Sequence, residues 1–125
     1  MIRCADVFGR SWEGRRVTVV GLKRSGLAAI ELLRRVGCRV RATDRDGTSA
    51  LQAVRASLLA AGLEEVEVGR HSRRLIEEAE VVVVSPGVPE TAGPIRWALE
   101  RRVPVVSEIE LAFHFCRSPI VAVTG

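Results

Sequence analysis

Three short segments of the chain combine glycine, hydroxyl and charged residues at spacings that suit a phosphate-bearing ligand. The first is Gly21-Leu-Lys-Arg-Ser-Gly26, which follows the apolar residues 17–20 and precedes a helical pattern that begins at Leu27. A strand, a glycine turn and a helix start leave backbone N–H groups without partners, and the helix dipole favours an anion there. We therefore predict a phosphate or diphosphate site at this turn, with a plain strand–helix turn as the alternative.

The glycine spacing departs from the dinucleotide-binding fingerprint G-x-G-x-x-G. Gly21 and Gly26 match its first and third glycines, whereas Lys23 stands in place of the middle one. The middle glycine lets the backbone approach a pyrophosphate closely. We therefore expect the phosphates to lie differently here, within reach of Ser25 and of backbone N–H groups.

Two further segments stand where predicted strands end. Asp44 follows the alternating residues 38–43, and Ser85-Pro86-Gly87 interrupts a run of four valines. The carboxyl ends of parallel strands share one edge of a sheet, where ligands bind. Gly21, Asp44 and Gly87 are thus predicted to share a rim. Asp44 would accept a ribose hydroxyl or form an Asx turn, and the Pro-Gly loop would contact a ligand or serve compactness alone.

Strand and helix patterns alternate along the chain. Period-2 or continuous apolar stretches predict strands at residues 16–20, 38–43, 66–68, 81–84, 103–106 and 118–125, and period-3.6 stretches predict helices at 25–36, 49–61, 72–78, 94–102 and 107–115. This alternation is typical of an α/β fold, a Rossmann-like parallel sheet of about five strands with helices on both faces. Ser49, Ser72 and Ser107 are predicted N-caps, and Gly37 is predicted to end the first helix in a left-handed conformation.

Composition narrows the class of protein. The chain has 125 residues, 47% of them hydrophobic, which suits one globular domain. Cys4, Cys38 and Cys116 are widely spaced, which argues against disulfides or zinc and favours a reducing cytoplasm. His71 and His114 lack ligand partners nearby in sequence, so we predict no metal site.

Charge and hydropathy exclude other partners. The net charge is +4 with a pI of about 9.7, but the arginines are dispersed and aromatic residues make up only 4%, so no nucleic-acid partner is expected. No apolar run is long enough to span a bilayer, and residues 1–6 lack the pattern of a signal peptide. We expect a cytoplasmic monomer.

The ordered set of motifs resembles the Mur ligases of peptidoglycan synthesis, in particular the branch that joins D-glutamate to UDP-N-acetylmuramoyl-L-alanine. The motifs are Gly21-Leu-Lys-Arg-Ser-Gly26, Ser85-Pro-Gly-Val-Pro89, Ser107-Glu-Ile-Glu-Leu111 and Val121-Ala-Val-Thr-Gly125, and the resemblance extends from about Arg16 to the last residue. It implies that residues 1–117 form a Rossmann-like domain for the UDP substrate. Residues 118–125 would be the first strand of a truncated central ATPase domain, with Gly125 at the start of its ATP loop.

The resemblance also implies roles for individual residues. Gly21, Arg24 and Ser25 would contact the substrate's diphosphate. The uridine would lie against the turn after the second strand and against the Pro-Gly loop, with the residues Asp44, Arg45, Ser85, Pro86 and Gly87. Charged Lys23 and Arg24 depart from the family's first turn. ATP, Mg²⁺ and D-glutamate would be handled beyond Gly125, so this chain would hold no catalytic residue, bind no cofactor and be inactive alone.

Two other functions fit the same pattern. An NAD(P)-binding domain of an oxidoreductase shares the strand–glycine–helix unit and the acidic residue after the second strand, although it lacks the Thr-Gly ending. A non-catalytic nucleotide-binding domain is the second alternative. Binding of NADH against binding of a UDP sugar would separate the first alternative from the Mur ligase interpretation.

Overall fold

The computed structural model describes residues 12–115, which form a five-stranded, fully parallel sheet with helices on both faces. The strands are β1 (Arg16–Val20), β2 (Arg39–Asp44), β3 (Glu65–Val68), β4 (Val81–Val84) and β5 (Val105–Ser107). The helices are α1 (Arg24–Arg35), α2 (Ser49–Ala60), α3 (Arg73–Glu77), α4 (Gly93–Glu100) and α5 (Glu108–Phe115). The predicted fold class is confirmed.

The sheet has the strand order β3-β2-β1-β4-β5. The chain moves outward from β1 to β3 and then crosses back to β4 on the other side of β1. The order therefore reverses between β1 and β4, and ligands of open α/β sheets bind outside the carboxyl ends of the strands at such a point. We call the edge where the strands end the carboxyl edge, and the opposite edge, where they begin, the amino edge.

Two apolar clusters, one on each face, hold the sheet between its helices. Helices α1, α2 and α5 pack with Val17 and Val19 on one face, and α3 and α4 pack with Val20 and Val82 on the other. All four valines of β4 are fully buried, since this strand is covered on both sides. The continuous valine run was thus a reliable indicator of an interior strand.

Most predicted elements are confirmed, with boundaries that move by one or two residues. Gly37 has φ +88° after the end of α1, as its predicted C-terminal role requires. Asp44 is the last residue of β2 rather than the first of the following turn. The predicted strand at 118–125, together with Gly125, lies outside the described residues.

Of the three predicted helix caps, Ser49 is wrong and Ser107 is confirmed, whereas Ser72 is the N-cap residue of α3 as predicted but forms no capping hydrogen bond. Helix α2 is capped by Thr48, whose hydroxyl accepts the backbone N–H of Leu51 at 3.2 Å, so Ser49 is the first helical residue instead. The Ser72 hydroxyl donates to Glu67 at 2.7 Å and makes no cap hydrogen bond. The prediction at Ser107 is confirmed, because its Oγ accepts the N–H of Glu110 at 3.1 Å.

The amino edge carries a network of ion pairs. Glu80 accepts the backbone N–H of Arg16 at 2.7 Å and lies 3.3 Å from the guanidinium of Arg15. Further pairs join Arg39 to Glu64, Arg41 to Glu64 and to Glu78, and Arg74 to Glu65 and to Glu78. Much of the arginine excess is therefore neutralised on this side of the molecule.

Candidate nucleotide site

The turn between β1 and α1 depends on two glycines that bring backbone segments together. Gly21 has φ +107°, and a Cβ there would lie 2.4 Å from the Ser85 Oγ. A Cβ on Gly26 would lie only 1.9 Å from the backbone oxygen of Gly21. The first turn of α1 therefore packs directly against the glycine turn, which is the close helix–strand approach that a glycine at this position permits.

The start of α1 is open and cationic. Lys23 is the N-cap residue, its side chain makes no cap hydrogen bond, and the first turn contains no acidic residue. Lys23, Arg24 and Ser25 are all exposed. Neither cation forms an ion pair within residues 12–115. Unpaired helical N–H groups beside two free cations can attract and hold an anionic group.

Asp44 ties this turn to the end of β2. Its Oδ2 accepts the buried N–H of Leu22 at 2.7 Å, and its Oδ1 accepts the N–H of Asp46 at 2.9 Å. The second bond is an Asx turn, so that expectation is confirmed. The carboxylate is only 6% exposed. Its first task is therefore to hold two loops together, although a carboxylate retains further acceptor positions.

Exposed residues surround this clamp. Arg45 and Asp46 face solvent directly after β2, and Arg45 forms no ion pair among the described residues. His71 lies behind them, with its Nδ1 2.8 Å from the Thr43 Oγ1. Burial lowers the pKa of His71 below its usual 6.5, against the opposing attraction of Asp44. Burial therefore favours the neutral form of this ring.

The loop after β4 completes the rim. The N–H of Ser85 donates to the Val20 carbonyl at 3.2 Å, and the Ser85 carbonyl accepts the N–H of Val88 at 3.0 Å, which closes a turn around Pro86 and Gly87. Pro86 and Gly87 are exposed at its tip. Because this loop leaves β4 beside β1, it lies immediately next to the glycine turn.

The structure therefore brings together the residues that the sequence singled out. Gly21 touches Ser85, and Asp44 holds the residue after Gly21. The expected common rim is present. Whether these residues bind a substrate remains a prediction.

One buried residue at this rim, Glu108, is not among the site residues predicted from the sequence. Glu108, the first residue of α5, is 7% exposed and accepts the Ser85 hydroxyl at 2.7 Å. Its position directly after β5 was a usable signal, because β5 neighbours β4 and their carboxyl ends must meet. The burial of Glu108 could not be predicted from the sequence, because the motif around it also fits an ordinary helix start that is exposed to solvent.

Residues 12–115 offer neither a metal-binding cluster nor a membrane-spanning helix. They contain no group of three or more His, Cys, Asp or Glu side chains arranged to hold a metal ion. Across the same residues, none of the helices combines the length and apolar character needed to cross a membrane.

Comparison of the sequence with known proteins identifies one family. A family model described as Mur ligase MurD-like, N-terminal domain, matches residues 15–107. A UDP-N-acetylmuramoylalanine–D-glutamate ligase of Desulfosudis oleivorans is 42% identical over 113 residues, which are 90% of this chain and 24% of that protein. The ligase of the same name from Anaeromyxobacter dehalogenans is 46% identical over 114 residues, with coverage of 90% and 24%. The chain thus spans about a quarter of the length of the curated relatives it matches.

Solved structures share the fold at low sequence identity. A pseudomurein peptide ligase type C from Methanothermus fervidus has a TM-score of 0.65 at 14% identity, over 85% of this chain and 21% of that one. Shikimate dehydrogenase from Aquifex aeolicus has a TM-score of 0.54 at 16% identity, over 92% of this chain and 54% of that one. At these identities the likeness shows the fold alone.

Proposed function

Because the chain belongs to the Mur ligase MurD-like N-terminal domain family, we propose that it is the part of a ligase that binds UDP-N-acetylmuramoyl-L-alanine. The complete enzyme would add D-glutamate to that substrate in peptidoglycan synthesis, in the cytoplasm. The observation that supports this proposal best is the open N-terminus of α1, where Lys23 and Arg24 are exposed and without ion pairs within residues 12–115, beside the Ser85 loop.

We assign the diphosphate to the start of α1. The backbone N–H groups of this turn, the Ser25 hydroxyl and the Arg24 guanidinium are donors, and phosphate oxygens accept strongly from such groups. Gly21 keeps the floor of the turn free of a side chain. Lys23 adds a second positive charge at the start of the same helix.

We assign the uridine to the neighbouring part of the rim. Arg45 is exposed after β2 and the Pro86-Gly87 tip is exposed after β4, on either side of the glycine turn that follows β1, and Ser85 is half-buried against that turn. Asp44 fixes the geometry of this region through its two backbone hydrogen bonds and retains capacity to accept one ribose hydroxyl.

The complete ligase would use ATP and Mg²⁺ to activate the substrate carboxylate for attack by the amine of D-glutamate. These components belong to chain beyond Gly125 in our proposal, so this chain alone, as a monomer, would bind substrate without catalysis. Incubation with ATP, Mg²⁺, the UDP substrate and D-glutamate should release no phosphate above the blank. Release above the blank would contradict the inactive part of the proposal.

An NAD(P) site receives less support from the same geometry. Lys23 occupies the position at which a glycine would admit a dinucleotide pyrophosphate. The relatives with 42% and 46% identity are named as ligases. Parallel titrations with NADH and UDP separate the two functions, and we expect binding of UDP alone.

The sequence offers a direct test of where the ligand binds. Lys23 is the only lysine in the chain, so an amine-directed acylating reagent can modify it and the terminal amine alone. UDP should slow acylation of Lys23, measured by peptide mass spectrometry, while the terminal amine serves as the internal reference. Equal rates with and without UDP at concentrations that calorimetry shows to be saturating would contradict the assignment of the diphosphate.

A variant pair sharpens this test. Arg24→Ala should weaken UDP binding by about three- to tenfold because it removes a charge-assisted contact. Arg96→Ala is the matched control, since Arg96 is also an exposed helical arginine, on α4, without an ion pair in the described part of the chain. Equal affinities of the two variants would count against the diphosphate site.

A further inference from the structure

Glu108 is a buried carboxylate with a hydrogen bond at only one of its two oxygens. Its Oε1 accepts the Ser85 hydroxyl at 2.7 Å. Its Oε2 is buried and has no hydrogen-bond partner within residues 12–115. Burying a carboxylate is costly unless its oxygens are paired, and buried polar atoms in folded proteins almost always are. A leucine or methionine would fill this volume at lower cost, so the carboxylate calls for a reason other than packing.

The position of Glu108 connects it to the glycine turn. Its Oε1 lies 3.5 Å from where a Cβ on Gly26 would be, and the Ser85 Oγ lies 2.4 Å from where a Cβ on Gly21 would be. Glu108 and Ser85 therefore lie against both glycines of the turn that opens α1. The N-terminal end of α5 partly offsets the cost of the negative charge.

The chemistry of the pair fixes the direction of one proton. An ionised carboxylate can only accept, whereas a serine hydroxyl has one hydrogen to donate and two lone pairs to offer. Because the Ser85 hydrogen is committed to Glu108, the Ser85 Oγ can present only lone pairs to anything that enters the rim. A phosphate oxygen, which also only accepts, would find no donor there, whereas a hydroxyl or an N–H group would find an acceptor.

We propose that Glu108 is a positioning residue that makes Ser85 a hydrogen-bond acceptor, so that the site selects a nucleoside group carrying a donor at Ser85. This inference rests on the proposed function and extends it. It orients the ligand: the phosphates lie toward Lys23 and Arg24 on the α1 side, and a ribose hydroxyl or the base N–H lies on the Ser85 side. The negative charge of Glu108 reinforces this orientation, because it disfavours phosphate near Ser85.

Replacement of Glu108 by glutamine tests the inference with almost no change of shape. The glutamine amide can donate to the Ser85 Oγ through its NH2 group, which occupies the lone pair meant for the ligand, or accept from it through its oxygen, so Ser85 is no longer fixed as an acceptor. Glu108→Gln should weaken UDP binding by about tenfold, measured by calorimetry on the full chain. Glu110→Gln is the matched control, because it removes the same charge from the same turn of α5 and, within residues 12–115, Ser85 donates its hydroxyl to Glu108 and not to Glu110. It should bind UDP within about twofold of the wild type.

Three analogues distinguish orientation of a hydroxyl from general support of the loop. We would use 2′-deoxy-UDP, 3′-deoxy-UDP and N3-methyl-UDP, each of which lacks one donor. For one of them, wild type and Glu108→Gln should bind with equal affinity, because the donor that Ser85 accepts is already absent. A loss of the same factor for UDP and for all three analogues would overturn the inference, as would a Glu108→Gln affinity equal to that of Glu110→Gln.

The serine itself provides a second test if Glu108→Gln fails to fold. Ser85→Ala should lose affinity for UDP but not for the same single analogue, and a uniform loss would overturn the inference. Where both variants fold, the double variant should be no weaker than Ser85→Ala. A wild-type chain that binds none of the four nucleotides would overturn the proposed function and this inference with it, whereas wild-type binding with uniform losses overturns the inference alone.

Discussion

The two edges of the sheet use their charged residues in opposite ways. At the amino edge, arginines and glutamates pair with one another, as Arg15 does with Glu80 and Arg39 with Glu64. At the carboxyl edge Arg70 pairs with Glu67, but Lys23, Arg24 and Arg45 form no ion pairs within residues 12–115, and Glu108 has a buried oxygen without a partner there. This contrast fits our proposal that the carboxyl edge binds a ligand, whereas the ion pairs at the amino edge stabilise the fold.

The largest expected effect tests the tight packing beneath the glycine turn. Gly26→Ala places a Cβ 1.9 Å from a backbone oxygen, which no side-chain rotation can relieve. We expect a loss of about 3 kcal/mol in the free energy of unfolding, measured with urea. Gly87→Ala, where a Cβ would meet nothing within 4 Å, should change it by less than about 1 kcal/mol. Equal stabilities of the two variants would contradict the packing described here.

The next effect compares a buried clamp with a surface ion pair. Asp44→Ala leaves the N–H groups of Leu22 and Asp46 without their acceptor and should cost about 2 kcal/mol of stability. Glu80→Ala at the amino edge should cost about 1 kcal/mol or less, because Arg15 and Glu80 are both partly exposed and solvent screens their ion pair. The same urea titrations measure both variants. A larger loss for Glu80→Ala would reverse the ranking of the two edges.

The two edges should also respond to acid in different pH ranges. The pKa of neutral, half-buried His71 lies below its unfolded value of 6.5, mainly because of desolvation, so its stabilising contribution is present above pH 6.5 and is lost as the pH falls through the folded value. The hydrogen bond from the Arg16 backbone lowers the pKa of Glu80 below 4.5, so that contribution is present above pH 4.5 and disappears only in stronger acid. Urea titrations at a series of pH values measure the free energy of unfolding. The fall in this free energy below pH 6.5 should be absent in His71→Gln, whereas the fall below pH 4.5 should remain. An unchanged fall below pH 6.5 in this variant would contradict the assignment to His71.

The smallest effect is chemical and leaves stability unchanged. Cys38, just before β2 at the amino edge, donates its thiol hydrogen to the Trp12 carbonyl at 3.3 Å, and burial raises its pKa to about 11 from 9.0. At pH 8 its thiolate population should be about a hundredfold below that of an exposed cysteine. In a Cys4→Ser/Cys116→Ser variant, iodoacetamide should modify Cys38 slowly when folded and rapidly in urea. Equal rates in both conditions would show that burial does not protect this thiol.

The sequence predicted the fold well because hydrophobic period reports burial directly. The valines of β4 and the glycine after α1 each indicate a local conformation that needs no distant partner. It also predicted the rim, since parallel strands place their carboxyl ends together whatever their loops contain.

Contacts between loops were not predictable in the same way. The hydrogen bond from Leu22 to Asp44 spans 22 positions of the sequence, and the hydrogen bond from Ser85 to Glu108 spans 23. No local sequence pattern specifies either bond. The cap of α2 was wrong because Thr48 and Ser49 are equally good cap residues, and only the backbone conformation decides between them.

The central place of β1 has a consequence for how the chain folds during its synthesis. This strand leaves the ribosome before its partners and can pair with β2 soon after β2 emerges, but its other side pairs with β4, where Val17 lies beside Val81. At a translation rate of roughly 5–20 residues per second, β1 waits about 3 to 13 seconds with that row of amides and carbonyls uncovered. A nascent strand in this state is a template for mispairing, so chaperone protection on the ribosome should matter most between the emergence of β2 and that of β4.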